Sequence, residues 1–356
     1  MRDNIIEVFF ALVRAGLWET DVKLAAYGEI DYESILRLSR EQSIVGLVAA
    51  GLEHVVDVKV PQMWALQFAG ETIQIEQRNK EMNNFIAEIV DKMRNVGIYT
   101  LLVKGQGIAQ CYERPYWRTS GDVDFFLSDS NYQKAKEFLL PLSSVNKPER
   151  MFSKELGFSI GRWFVEIHGT QRTGLSSGLD KSIDDLQRIA FYDGKVRSWM
   201  NGKTQVFLPA ADEDVLIVFT HFLKHFYKDE GVSLRQICDW CRLLWTYRER
   251  LNLRLLKFRL QKMRLMKEWN AFGNVAIKFL GMPKDVMPLY GDSKFWQRMA
   301  EMIVNVILFS KSHGRLTAVY STMKMFPIST MRFLPGILFD VNWLKVKERF
   351  FINPSI

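Results

Sequence analysis

Asp122 and Asp124 stand two residues apart in the run Gly121-Asp-Val-Asp124-Phe-Phe-Leu127, which ends in large apolar side chains and so reads as a strand. Alternate strand side chains share a face, so both carboxylates project together from Cα atoms roughly 7 Å apart. At that spacing they can converge on one Mg2+ or bridge two ions about 3.5–4 Å apart, as in phosphoryl-transfer sites. Without a cation, two acids facing one way on a half-buried strand repel each other. The pair asks for a metal, and the metal asks for a phosphate.

Such a site also needs a phosphate cradle and a group that activates the acceptor. Lys104-Gly105 follows an apolar run and precedes a short helical one. Gly105 would let the backbone approach a phosphate closely, and Lys104 would add a compact positive charge. A plain strand-to-helix turn is the alternative, and the glycine patterns of Walker and dinucleotide loops are missing. In Phe164-Val-Glu166-Ile-His168, alternation puts Glu166 and His168 on one face. From a neighbouring strand, Glu166 would complete the coordination of one metal and help deprotonate a hydroxyl. Arg118, just upstream of the aspartates, either contacts a triphosphate or pairs with Asp122.

The elements that must position these residues form an α+β chain. Residues 1–97 read as a helical region, with one long helix from about Thr72 to Val96. Residues 98–208 read as a small mixed sheet with helices against it. Its expected strands are Ile98–Val103, Val123–Leu127, Met151–Ile160 and Arg162–His168, with helices at Gln106–Tyr112 and Tyr132–Leu140. Residues 209–356 read as helical again, beginning with Val215–Lys228 behind an acidic first turn.

Four further constellations have plainer readings. His221, Lys224 and His225 share a helix face, either as a basic patch on the catalytic cleft or as ordinary helix residues. Arg235 and Asp239, one turn apart, suggest a helix salt bridge, and the Cys238-x-x-Cys241 pair suggests a buried face. The basic stripe Arg248, Arg250, Arg254, Lys257, Arg259, Lys262, Arg264 and Lys267 reads as a solvated helix face; RNA binding is the less favoured alternative.

Composition sets outer bounds. A chain of 356 residues, 48% hydrophobic and 25% charged, is globular and predicts two or three compact units. Its formal charge of +8 favours anionic ligands without choosing among nucleotides, nucleic acid and lipid headgroups. No apolar run reaches the roughly 18–20 residues of a membrane span, and Glu7 and Arg14 interrupt the apolar start. Three cysteines suggest no disulfide framework, so the expected location is the cytoplasm.

Glycine after a strand, Asp-x-Asp on the next and one acid on a later strand resemble the DNA polymerase β-like nucleotidyltransferase superfamily. More narrowly, Leu102-Val-Lys104-Gly105, Tyr112, Pro115, Arg118, Gly121-Asp-Val-Asp124 and Val165-Glu-Ile-His168 resemble the uncharacterised bacterial nucleotidyltransferase family 5. So do His221-Phe-Leu-Lys-His225 and Ile237-Cys-Asp239, and the likeness fades beyond about residue 250. The resemblance implies a metal triad of Asp122, Asp124 and Glu166, and nucleotide contacts from Lys104, Gly105, Gln106, Arg118 and Gly121. It implies cleft contacts from His168, His221, Lys224 and His225. Gln106 stands where the superfamily has a second Gly or Ser, and Glu166 where it usually has Asp. The implied activity moves a nucleoside monophosphate from an NTP such as ATP to a hydroxyl acceptor, with Mg2+ or Mn2+, releasing pyrophosphate. Two alternatives stay open: a non-catalytic nucleotide- or partner-binding regulator, and an RNA-modifying enzyme.

Overall fold

A computed structural model describes residues 2–192, 195–228, 231–309 and 315–338. Four helices open the chain: α1 (Arg2–Trp18), α2 (Tyr32–Glu41), α3 (Val45–Glu53) and α4 (Gln62–Asn95). Helix α4 begins ten residues before the expected Thr72. Met63, Leu66 and Ile73 lie exposed along it, so the early turns have no clean polar face to signal a helix.

The sheet region follows as β1 (Leu101–Val103), α5 (Gly105–Ala109), β2 (Val123–Phe126), α6 (Asp129–Leu139), β3 (Val145–Asn146), β4 (Glu155–Ile160) and β5 (Trp163–His168). Helix α7 (Ser177–Tyr192) then leads to the hairpin β6 (Val196–Asn201) and β7 (Thr204–Pro209). Strand order is β3-β4-β5-β2-β1-β7-β6; β5 lies parallel to β2 and β7 parallel to β1, while the other pairs are antiparallel. The α+β class with helical flanks is as expected. The hairpin is an addition, marked in the chain by Asn201-Gly202, whose glycine sits at φ +62°.

Seven helices complete the described chain: α8 (Ala211–Lys228), α9 (Leu234–Tyr247), α10 (Leu253–Met263), α11 (Met266–Lys278), α12 (Lys294–Phe309), α13 (Arg315–Met325) and α14 (Pro327–Leu338). Of the aromatic segment from Phe326 to Phe351, Phe326 and Phe333 are buried, and the part beyond Leu338 lies outside the described residues.

Two large apolar cores and a small third cluster of Leu101, Val103, Phe126 and Ala190 hold the described residues. One face of the sheet, with Val123, Phe125, Val165 and Ile167, packs with Met82, Ile86, Ile89 and Met93 of α4 and Ala135 and Leu139 of α6. Each fully buried side chain of this kind contributes about 1.5–3 kcal/mol. Period-2 alternation sends Asp124, Glu166 and His168 to the opposite face. The larger core joins the chain's distant parts: Phe9 and Leu12 of α1 and Leu47 of α3 belong to the same cluster as Phe219, Trp240, Trp269 and Phe272. Trp18 Nε1 donates to Leu280 O at 2.6 Å and Arg14 Nη1 to Phe279 O at 3.3 Å across the same seam.

Candidate active site

Strand pairing builds the centre of the site. Asp124 on β2 stands opposite Glu166 on the parallel β5, and Phe126 opposite His168. Ligand atoms of Asp124, Glu166 and His168 lie within 4.8 Å of one another, a group able to hold a metal ion. His168 Nε2 is 2.8 Å from Asp124 Oδ1 and 3.7 Å from Glu166 Oε2. Asp122 lies one residue before β2, less buried than Asp124 and outside that tight group, yet close enough for the two charges to interact.

Lys104 caps the end of β1 directly across from this pair, since Val103 registers with Asp124. Its ammonium reaches Asp124 Oδ1 at 2.7 Å. Its backbone sits at φ 58°, ψ −150°, a region nearly confined to glycine that costs on the order of 1–3 kcal/mol. Gly105 follows at φ +41°, with the Asp122 carbonyl 3.5 Å from where a Cβ would be. A strained turn thus carries the Lys-Gly element past the acids.

The electrostatics are those of a crowded anionic site. The charge of Asp124, and then burial, raise the Asp122 carboxyl above its ordinary range. Burial, and then Asp124, raise Glu166. Burial alone would also raise Asp124, but the Lys104 ammonium and the His168 ring outweigh it and hold that carboxyl below the usual carboxylate range. Burial opposes the Lys104 charge, and Asp124, Asp122 and Glu166 outweigh it to keep the ammonium protonated. Two acids with raised pKa values beside a third held ionised crowd negative charge into one place, which a divalent cation would relieve.

Helix α8 closes the other side. Its apolar face enters the larger core, leaving His221, Lys224 and His225 toward the sheet. Lys224 Nζ lies 3.9 Å from Glu155 Oε2, and Glu155 stands opposite His168 in the sheet. His221 and His225 meet at 3.1 Å between their Nε2 atoms. Burial, and then the positive charge of Lys104, push His221 well below its ordinary pKa. Lys224 thus reaches β4 and His221 feels the charge of Lys104 beside the acids. Glu155 was absent from the sequence reading; alternation along β4 opposite the buried Leu156 and Phe158 could have found it.

Other sequence candidates have structural partners. Arg118 pairs with neither Asp122 nor open solvent: its Nε and Nη2 grip Asp239 Oδ1 and Oδ2 at 2.7 and 2.6 Å, fully buried. Tyr112 OH donates to the same Asp239 Oδ1 at 2.9 Å. Asp239 therefore belongs to Arg118, not to Arg235 one turn away. Gln106 Nε2 donates to Asn79 Oδ1 at 2.7 Å and Ser120 Oγ at 3.1 Å, bracing the loop behind the acids. Gly121 is exposed, its carbonyl accepting from Arg78 Nη2 at 3.3 Å. Cys238 and Cys241 are buried free thiols on the core face of α9. The basic stripe breaks up: Arg259 is buried against Glu213 at 2.8 Å and Lys262 bonds Asp185 at 2.6 Å, while Arg254 and Lys257 are exposed.

A small mixed sheet thus presents Asp124 and Glu166 in register on neighbouring strands, with the Lys104 turn beside them and His168 completing a group able to hold a metal ion. Residues 28–280 match a family described as uncharacterised nucleotidyltransferase, a span from α2 through α11, and the chain belongs to that family. No curated protein and no solved structure matches it. Among the described residues, no helix is long and apolar enough to cross a membrane.

Proposed function

We propose that this chain is a divalent-metal-dependent nucleotidyltransferase that moves a nucleoside monophosphate from an NTP to a hydroxyl acceptor, releasing pyrophosphate. The observation that carries this reading is the direct pairing of Asp124 with Glu166, with Lys104 on the same carboxylate. Asp124, Glu166 and Asp122 would hold Mg2+ or Mn2+, with the His168 imidazole as a further donor or as the hydrogen-bond partner that orients Asp124. A cation there would neutralise the triphosphate and draw charge from the attacked phosphorus. Glu166 Oε2 would take the proton of the acceptor hydroxyl, its raised pKa bringing it nearer the working range of a general base. Lys104 Nζ and the turn at Gly105 would hold the leaving phosphates. His221 and Lys224 would wall the site from water, and Lys224 would add positive charge opposite the acids.

The test is labelled-nucleotide transfer and pyrophosphate release with Mg2+ or Mn2+. Asp124→Asn should lower the rate by on the order of a thousandfold or more. Equal turnover by the variant sinks the assignment.

A further inference from the structure

Asp124 is reached only past its own partners. Its side chain is 2% exposed, against 8% for His168, 14% for Lys104 and 18% for Glu166. Lys104 Nζ, at 2.7 Å, and His168 Nε2, at 2.8 Å, both contact the same oxygen, Oδ1. An ion arriving from solvent therefore meets Glu166 and Lys104 first. To bind the Asp124 carboxylate directly it must move a neighbour.

Lys104 is the neighbour placed to move. His168 is held inside β5, between its pairings with Phe126 and Glu155. Lys104 stands in the turn at the end of β1, and its ammonium rides on a flexible four-carbon stem. Its charge also has the ion's own sign, so the two repel at one oxygen while both are drawn to it. The backbone gives a second, independent pointer. At φ 58° and ψ −150° a glycine would sit without strain, and a lysine does not. A lysine kept in such a conformation is kept for its side chain.

We propose that Lys104 is an internal counter-cation that competes with the divalent ion for Asp124, so that entry of the ion drives the ammonium off Oδ1 and frees it for a phosphate. The exchange places a double charge where a single one stood, beside Glu166, which also carries negative charge into the site. It reconciles two demands on one side chain, since an ammonium cannot hold Oδ1 and the leaving phosphates at full strength together. The inference rests on the proposed activity for the phosphate; the competition itself involves only Lys104, Asp124 and a divalent cation.

The experiment uses the full chain and Mn2+ alone. Binding is read from the electron paramagnetic resonance of the free ion. A short pulse of acetic anhydride, read by peptide mass spectrometry, reports the Lys104 amine relative to the exposed Lys257. Lys104→Met should bind Mn2+ about tenfold or more tightly than wild type. Saturating Mn2+ should raise Lys104 acetylation in wild type by about threefold or more, because the amine leaves the carboxylate that kept it protonated and covered. In Asp124→Asn, Mn2+ should no longer change that acetylation. Lys104→Met binding Mn2+ no more tightly than wild type overturns the competition, as does wild-type Lys104 acetylation that Mn2+ leaves unchanged or lowers. If Lys104→Met does not fold, Lys104→Gly, which suits this backbone, carries the affinity measurement. Mn2+ bound by neither wild type nor variant removes the competition and the metal of the proposed reaction together. Competition in both measurements with no nucleotide transfer by wild type keeps this inference and removes the proposed activity. Transfer that requires Mn2+, with Lys104 acetylation unmoved by it, does the reverse.

Discussion

Two buried ionic clusters lie close together in this fold and obey opposite rules. Around Asp239, one carboxylate meets one guanidinium through two bonds, with the Tyr112 hydroxyl on the remaining lone pair. Charge is balanced and the geometry is closed. Around Asp124, three acids crowd one ammonium, and two of those acids are pushed toward their neutral forms. The first cluster is built to stay as it is. The second is short of positive charge, which agrees with the metal and phosphate of the proposed reaction. Burial depth alone does not separate them, since Asp124 and Asp239 are both buried.

The largest expected effect falls on the balanced cluster. Asp239→Ala leaves Arg118 buried and unpaired, and should cost about 3–5 kcal/mol in urea unfolding. Replacing both partners with apolar residues, Arg118→Met with Asp239→Leu, should recover most of that loss. A single variant as stable as wild type would break the comparison on this side.

At the unbalanced cluster the signs should split. Asp122→Asn should lower nucleotide transfer by roughly a hundred- to a thousandfold, yet raise the Tm of the metal-free protein by removing one of the repelling charges. Activity and stability falling together would mean that Asp122 is a structural residue like Asp239.

A smaller effect sharpens the contrast through pH. Asp122 and Glu166 have folded pKa values raised above their ordinary ones, so their contribution to stability is present at acid pH and lost as pH rises through the raised values. The Tm advantage of Asp122→Asn without metal should therefore be small near about pH 4 and grow toward about pH 8. Added Mn2+ should raise the wild-type Tm more at the higher pH, where protons no longer compete for the carboxylates. A pH-independent advantage would contradict the repulsion argument.

Much of the unbalanced site was legible because strand alternation is local. That Asp124, Glu166 and His168 face one way follows from period-2 patterning, whereas Asp122 lies one residue before β2 and outside the tight group. What lay beyond reach depended on contacts distant in sequence. Asp239 sits 121 residues from the Arg118 it holds, and a one-turn spacing on a helix offered Arg235 as a nearer but wrong partner. The approach of Lys104 to Asp124 needed the β1–β2 register, which no short run encodes. By contrast, Asn201-Gly202 advertised the β6–β7 hairpin, but Arg197, Ser198 and Met200 weaken the apolar alternation around it. The His221 face required knowing that the other side of α8 would be taken by the larger core.

That larger core also sets a timetable for the chain's birth. Trp18 meets its carbonyl partner 262 residues later, and Phe9 and Leu12 are walled by helices made equally late. At about 5–20 residues per second of synthesis, the first helices wait on the order of 10–50 s for the segments that cover them. Contacts so distant in sequence slow folding and leave apolar surface open to other chains in the interval. The same seam makes the two ends interdependent: a fragment lacking α1 would uncover α11 and the turn after it, although the acids of the site are all still present.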